Sequence, residues 1–288
     1  MNKIQRKVFP LCVILCLSTI GFLTTGVLAK PGPPAPVPSV VVTIFNNEPF
    51  DGTGFSPKET TLNLDQYLPA GVTWNKILLT YQAVAKEDVI DRVYSVAAAN
   101  GIELHRGITP FGRSISSSED VTSYMAILKG EVKFQSIMST YYYNTGWTVT
   151  VKLEFYAGKS PSVADTITPV WLWRYFGLNT PTVKYPTSQS QSVEFQTNAP
   201  KKAILVVYAT QHDKEEGVRR TIRIKVGETV IANILTTTWR PGQGRVAPYV
   251  VDVTRYASLL VEEKSITAEI VNGGSYWVVS MCFQLTTA

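Results

Sequence analysis

Two short stretches concentrate carboxylates beside a cation or an imidazole. One is Lys86-Glu-Asp-Val-Ile-Asp-Arg92, and the other is Gln211-His-Asp-Lys-Glu-Glu-Gly217. Each precedes a strand-like run, Val93 to Ala97 in the first case and Thr221 to Val226 in the second. Carboxylates facing each other across a cleft can activate a water and protonate a leaving group. If the two parts of the chain pack side by side, these clusters meet and supply that arrangement. Taken singly, each has a plainer reading. Asp91-Arg92 is then a surface ion pair, and the 211–217 run a solvated loop.

Other chemistries have few residues to work with. The chain contains two histidines, His105 and His212, so a metal site of several histidines is excluded, and the reading calls for no metal and no cofactor. Cys12 and Cys16 fall in the apolar N-terminal run, which leaves Cys282 without an intrachain disulfide partner. Cys282 sits in the apolar stretch Trp277 to Phe283, lacks an activating neighbour, and reads as a small buried hydrophobe. The sequence holds no Asn-x-Ser/Thr acceptor for an N-linked glycan.

The elements that must position the clusters begin after a leader. Lys3, Arg6 and Lys7 precede an apolar run from Val8 to Ala29 that ends Val27-Leu28-Ala29. Residues 1–29 read as a signal peptide, with an uncleaved membrane anchor as the alternative. Either way the rest of the chain is expected outside the cytoplasm, secreted and membrane-free once the signal is cut. Residues 30–39 are a proline-rich, extended spacer. The formal charge is +5, and removing the leader's three cations leaves +2. That balance gives no reason to expect nucleic acid as a partner.

Beyond the spacer, apolar and polar residues alternate. In Trp147 to Phe155 every odd residue is apolar and every even one polar or charged, the pattern of a half-buried strand. Thr221 to Val226 and Ile266 to Ile270 alternate likewise. Asn100-Gly101 and Asn272-Gly-Gly274 are hairpin signals. The phrase Asp120-Val-Thr-Ser-Tyr124 returns as Asp252-Val-Thr-Arg-Tyr256. Around each copy the order strand, hairpin, phrase, strand, turn, strand recurs, which implies two copies of one β domain. The phrase itself reads as structural, its Asp and Thr oxygens capping a tight turn. The fold expected is all-β, two tandem antiparallel jelly rolls packed side by side, over 40–158 and 159–288.

At this point the residues resemble the peptide N-glycosidases of the F and A types. The likeness runs from Trp74-Asn-Lys-Ile through Ile90-Asp-Arg-Val, Gly101-Ile-Glu-Leu, the first repeated phrase and Glu154-Phe-Tyr156. It continues through Ala203-Ile-Leu-Val-Val-Tyr, Trp239-Arg-Pro241, Pro248-Tyr-Val-Val-Asp252 and Tyr276-Trp277. The resemblance implies a secreted amidase that frees N-glycans from glycosylated peptides or proteins and turns Asn into Asp. It implies Asp91 as principal catalytic residue, acting on water, with Glu215 or Glu216 as the carboxylate from the second domain. Arg92, His212, Trp239 and Arg240 are implied as substrate-binding residues. The segment Gln135 to Thr140 lacks a carboxylate found in the F type, which sets the chain nearer the A type. A non-catalytic glycan-binding protein on the same scaffold is the alternative. Trp147, Trp171, Trp173, Trp239 and Tyr141-Tyr-Tyr143 are candidate stacking surfaces under either reading, with several of them expected in the core.

Overall fold

The computed structural model describes residues 37–50, 57–86, 91–138, 146–177, 186–197, 200–212, 218–240, 242–272 and 276–287. The leader, residues 30–36 of the spacer, Tyr141–Tyr143 and the Glu215–Glu216 pair lie outside them, and His212 is described by its backbone alone.

Alternation becomes sheet as expected. In Trp147–Ala157, the residues Trp147, Val149, Val151, Leu153 and Phe155 are buried and their neighbours partly open. Sixteen strands form among the described residues. The first eight are β1 (Val40–Phe50), β2 (Lys58–Asn63), β3 (Trp74–Ala85), β4 (Val93–Ala98), β5 (Ile102–Ile108), β6 (Ile115–Asp120), β7 (Glu131–Met138) and β8 (Trp147–Ala157). They make two antiparallel sheets, ordered β1-β8-β3-β6 and β2-β7-β4-β5. The next eight are β9 (Thr166–Phe176), β10 (Ser188–Ser192), β11 (Lys202–His212), β12 (Thr221–Val226), β13 (Thr229–Leu235), β14 (Tyr249–Asp252), β15 (Ser265–Val271) and β16 (Tyr276–Thr286). Their sheets are ordered β9-β16-β11-β14 and β10-β15-β12-β13. Adding eight to each strand number converts the first pair of orders into the second. Each set is a jelly roll of two facing four-stranded sheets, and the chain carries it twice.

The repeated phrase does the same work in both copies. Asp120 Oδ1 accepts from the Thr122 amide at 3.0 Å, and Thr122 Oγ1 accepts from the Ile77 amide of β3 at 2.9 Å. Asp252 Oδ1 accepts from the Thr254 amide at 2.9 Å, and Thr254 Oγ1 accepts from the Ala203 amide of β11 at 3.1 Å. Between them, the amides of fully buried Val121 and Val253 donate to the carbonyls of Ile77 and Ala203, each at 2.9 Å. The phrase pins the crossover to a strand start, and side-chain oxygens satisfy the backbone groups there. In the second copy the turn continues as α1 (Ala257–Glu263), which ends at Lys264 with φ +55°.

The two rolls meet because β11 and β16 are apolar on both faces. Leu205, Val207 and Ala209 of β11, with Trp277, Val279, Met281, Phe283 and Leu285 of β16, fill the core of the second roll. The alternate residues Val206 and Cys282 join the core of the first roll. Tyr208 and Val278 join a third cluster between the rolls. Cys282 is a free, buried thiol, its pKa pushed up to about 12 by burial and by Glu103.

Two strand irregularities set this interface. In β5, two steps from Glu103 to His105 lie opposite one step of β4, so Leu104 is an extra residue. The extra residue flips the alternation and sends Glu103 and Arg106 to the same side. In β9 the register breaks between Trp171 and Arg174, and Trp173 takes φ +54°. That flip puts Trp171 in the core of the second roll and Trp173 between the rolls. Left-handed backbone at a bulky residue persists only where its surroundings demand it. Here the Trp173 amide donates to Ser280 Oγ at 2.9 Å, and its ring lies 5.0 Å from the Arg106 guanidinium.

Candidate active site

Asp91 and Arg92 stand where the chain enters β4, opposite the exit from β5. The Arg92 amide donates to Thr109 Oγ1 at 2.7 Å, and the Thr109 amide donates back to the Arg92 carbonyl at 2.8 Å. Thr109 is fully buried, so this two-way bond fixes the backbone beside Asp91. Arg92 Nη1 donates to the Asp91 carbonyl at 2.8 Å. The Asp91 side chain is half-buried, and burial raises its carboxyl above the usual aspartate value. The Arg92 charge and the residue's own amide oppose that rise without cancelling it. A carboxylate with a raised pKa is a better proton acceptor near neutral pH than an ordinary aspartate.

The second copy repeats the frame without the acid. The Arg220 amide donates to Thr236 Oγ1 at 2.9 Å, and the Thr236 amide donates to the Arg220 carbonyl at 2.9 Å. The register therefore aligns Asp91-Arg92 with Arg219-Arg220, just beyond the 211–217 run that the sequence suggested as counterpart. The copies diverge at the carboxylate.

The second roll also contributes to the first roll's corner. Along the segment from Gly242 to Val246, the Gly242 amide donates to the Thr109 carbonyl at 3.1 Å. The Ile108 amide donates to the Gln243 carbonyl at 2.9 Å, and the Val246 amide to the Arg106 carbonyl at 2.8 Å. The segment lies antiparallel along β5 and covers its open edge. A turn precedes it, in which the Gln243 amide donates to the Arg240 carbonyl at 3.2 Å. Arg240 is exposed on that turn. Thr109 thus bonds to Arg92, next to Asp91, and to Gly242, two residues beyond Arg240.

Comparison with known proteins fits this geometry. A family model described as "Peptide N-acetyl-beta-D-glucosaminyl asparaginase amidase A" matches residues 41–218, more than half of the chain. The chain belongs to this peptide N-glycosidase A family. No curated protein sequence matches it. Among solved structures, PNGase F, a glycosylasparaginase from Flavobacterium meningosepticum, superposes with a TM-score of 0.59 at 15% identity, over 86% of this chain and 96% of that one. PNGF-II superposes with a TM-score of 0.63 at 14% identity, over 86% of this chain. The chain spans 65% of PNGF-II. At these identities the superpositions establish a shared double jelly-roll fold.

Within this peptide N-glycosidase fold the remaining expected residues separate. Trp239 is 7% exposed and packs in one cluster with Val93, Ile108, Trp173, Tyr208, Val246 and Val278 beneath the corner. Trp147, Trp171 and Trp173 are buried as well, which removes them as stacking platforms. His212 ends β11. Tyr208 Oη donates to the Leu104 carbonyl at 3.0 Å, and Arg106 Nη1 donates to Thr210 Oγ1 at 3.1 Å. β11 therefore advances in step with β5, and the His212 backbone lies toward the end of β5 that carries Ile108 and Thr109. Glu215 and Glu216 lie outside the described residues. No group of three His, Cys, Asp or Glu side chains capable of holding a metal ion occurs among the described residues.

Sequence reasoning missed the buried polar residues that hold the corner. Arg106 is fully buried and all its donors are used. Nε and Nη2 donate to the two oxygens of Glu103 at 2.7 Å each, Nη1 to Thr210 Oγ1 and the Val278 carbonyl, and Nη2 also to Ser280 Oγ. These bonds tie β5 of the first roll to β11 and β16 of the second. Tyr94 stacks on Tyr81 with ring centroids 4.0 Å apart, and its hydroxyl donates to the Gly244 carbonyl at 2.5 Å. Gly107 is required beneath it, because a Cβ there would fall 2.5 Å from the Gly244 oxygen and collide with the Tyr94 hydroxyl. The available signal was β5 itself, Ile102 to Ile108, where charged residues follow a glycine hairpin next to strands apolar on both faces.

Proposed function

We propose that the chain is a peptide N-glycosidase-type amidase. It hydrolyses the amide joining asparagine to N-acetylglucosamine in N-glycosylated peptides or proteins, and acts outside the cytoplasm after loss of residues 1–29. The observation carrying this reading is the half-buried Asp91 carboxyl, its pKa raised, on a corner that the second roll's Arg240 turn abuts. Membership of the family supports the same chemistry.

In the reaction, the Asp91 carboxylate takes a proton from a water whose oxygen attacks the side-chain amide carbon. The C–N bond breaks, the nitrogen leaves protonated on the sugar, and the asparagine becomes aspartate. A positioned base of this kind contributes about a hundred- to ten-thousandfold, and positioning and charge stabilisation supply the rest. Arg92 and Arg240 hold polar groups of the glycan or the forming oxyanion. Glu215 or Glu216 is the second carboxylate, and His212 lies at the start of its loop. The test is digestion of a glycopeptide with a single N-linked chain in heavy-oxygen water. Expected is a free glycan and a peptide whose new aspartate carries one heavy oxygen. A glycopeptide left intact across several glycan sizes overturns the amidase and favours glycan binding without cleavage.

A further inference from the structure

One ion pair crosses between the rolls beside the corner and has no part in the chemistry above. Arg245, on the segment that covers β5, grips Glu119 at the end of β6. Nη2 donates to Oε1 at 2.6 Å, and Nε donates to Oε2. The Glu119 side chain is 6% exposed while that of Arg245 is 50% exposed, so a buried anion on the first roll captures a cation reaching in from the second. The other charged neighbour of Glu119 is His105, which also favours the ionised carboxylate but does not cross between the rolls. His105 Nδ1 is 3.9 Å away, beyond hydrogen-bond reach, and His105 Nε2 is engaged with Ser117 Oγ at 2.8 Å.

The residues around Arg245 show what the grip restrains. On one side Gly244 receives the Tyr94 hydroxyl, and Gln243 and Gly242 pair with Ile108 and Thr109. On the other, Val246 pairs with Arg106. The Arg240–Gln243 turn leads directly into this segment. Backbone bonds alone would let it breathe along β5, because three bonds on a sheet edge open locally at small cost. A two-pronged guanidinium–carboxylate pair removes that freedom, since its geometry fixes register as well as distance.

We propose that Glu119 and Arg245 form a clasp that sets the Arg240 turn against Asp91 and Arg92, which makes Arg245 a positioning residue of the site. The inference rests on the amidase reading for its kinetic consequence and on the structure alone for the clasp. Full-length Arg245→Gln and Arg245→Lys are compared with wild type by backbone hydrogen exchange, thermal unfolding and glycopeptide kinetics. Arg245→Gln is expected to speed exchange at the Gly242 and Val246 amides about tenfold while the β3 and β8 amides stay protected. It is expected to lower kcat by up to about a hundredfold with a smaller change in KM, and to lower the melting temperature by a few degrees because the buried Glu119 loses its partner. Arg245→Lys, which keeps the charge without the fork, recovers part of both effects. Unchanged exchange at Gly242 and Val246 in Arg245→Gln overturns the clasp. Faster exchange with unaltered kcat overturns the positioning role. Wild type that cleaves no glycopeptide refutes the amidase reading instead, and the exchange arm still decides the clasp.

Discussion

Arg106→Met removes the guanidinium that joins the rolls and leaves Glu103 buried with its charge unpaired. Wild-type Arg106 and Glu103 are 0% and 3% exposed, so water cannot take over. Removing one partner of a buried ion pair costs about 3–5 kcal/mol. For a unit of this size, each kcal/mol lowers the melting temperature by about 2–4 °C, so the loss is roughly 6–20 °C. The double variant Arg106→Met/Glu103→Leu separates charge from packing. It removes the stranded anion and takes one hydrogen bond each from Thr210, Ser280 and the Val278 carbonyl, while Ser280 Oγ still accepts from the Trp173 amide. Losing those bonds costs about 1–3 kcal/mol, so the double variant is expected to be more stable than Arg106→Met by about 2 kcal/mol. Urea unfolding followed by tryptophan fluorescence measures all three proteins, with Trp173 beside the pair as reporter. The reasoning is refuted if Arg106→Met costs under 1 kcal/mol, or if the double variant is the less stable of the two.

Gly107→Ala places a methyl group against Tyr94 and the Gly244 carbonyl, and about 1–3 kcal/mol of stability is expected to be lost, read from the same unfolding curves. Burial alone would raise the Glu119 carboxyl, but His105 and Arg245 outweigh it and hold the pKa below 4.5. In the window between the folded and unfolded values the unfolded chain binds more protons, so this contribution is present above 4.5 and is lost as pH falls through the folded value. The stability gap between wild type and Glu119→Gln is therefore expected to shrink as pH drops below 4.5, and a gap that widens contradicts the assignment. The Cys282 thiol, buried with a pKa near 12, is expected to resist a thiol reagent until the protein unfolds, as counted by absorbance with and without denaturant.

Much of this fold was legible because period-two alternation survives in strands such as β8 and β12, and because the turn-capping phrase was kept in both copies. What was not legible depends on single extra residues. Leu104 and Trp173 each flip a strand's alternation, and no local pattern marks them, so Glu103 and Arg106 gave no hint of facing the same way. Trp239 looked available to a sugar because its burial comes from residues distant in the chain, in both rolls. The alignment of Asp91-Arg92 with Arg219-Arg220 follows from hydrogen bonds to Thr109 and Thr236, which lie 17 and 16 residues further along the chain. Asp91 itself was found by likeness to a family, and the structure adds the raised pKa and the buried frame that suit it to act as a base.

The internal symmetry supplies the most direct test. Asp91→Asn and Arg219→Ala alter equivalent corners of the two rolls, and both sites are open enough for the variants to fold. Glycopeptide cleavage is measured as kcat/KM for wild type and both variants. The account predicts a loss of about a hundred- to ten-thousandfold for Asp91→Asn and near wild-type cleavage for Arg219→Ala. Cleavage by Asp91→Asn within a few-fold of wild type would contradict the assignment of the chemistry to the first roll's corner.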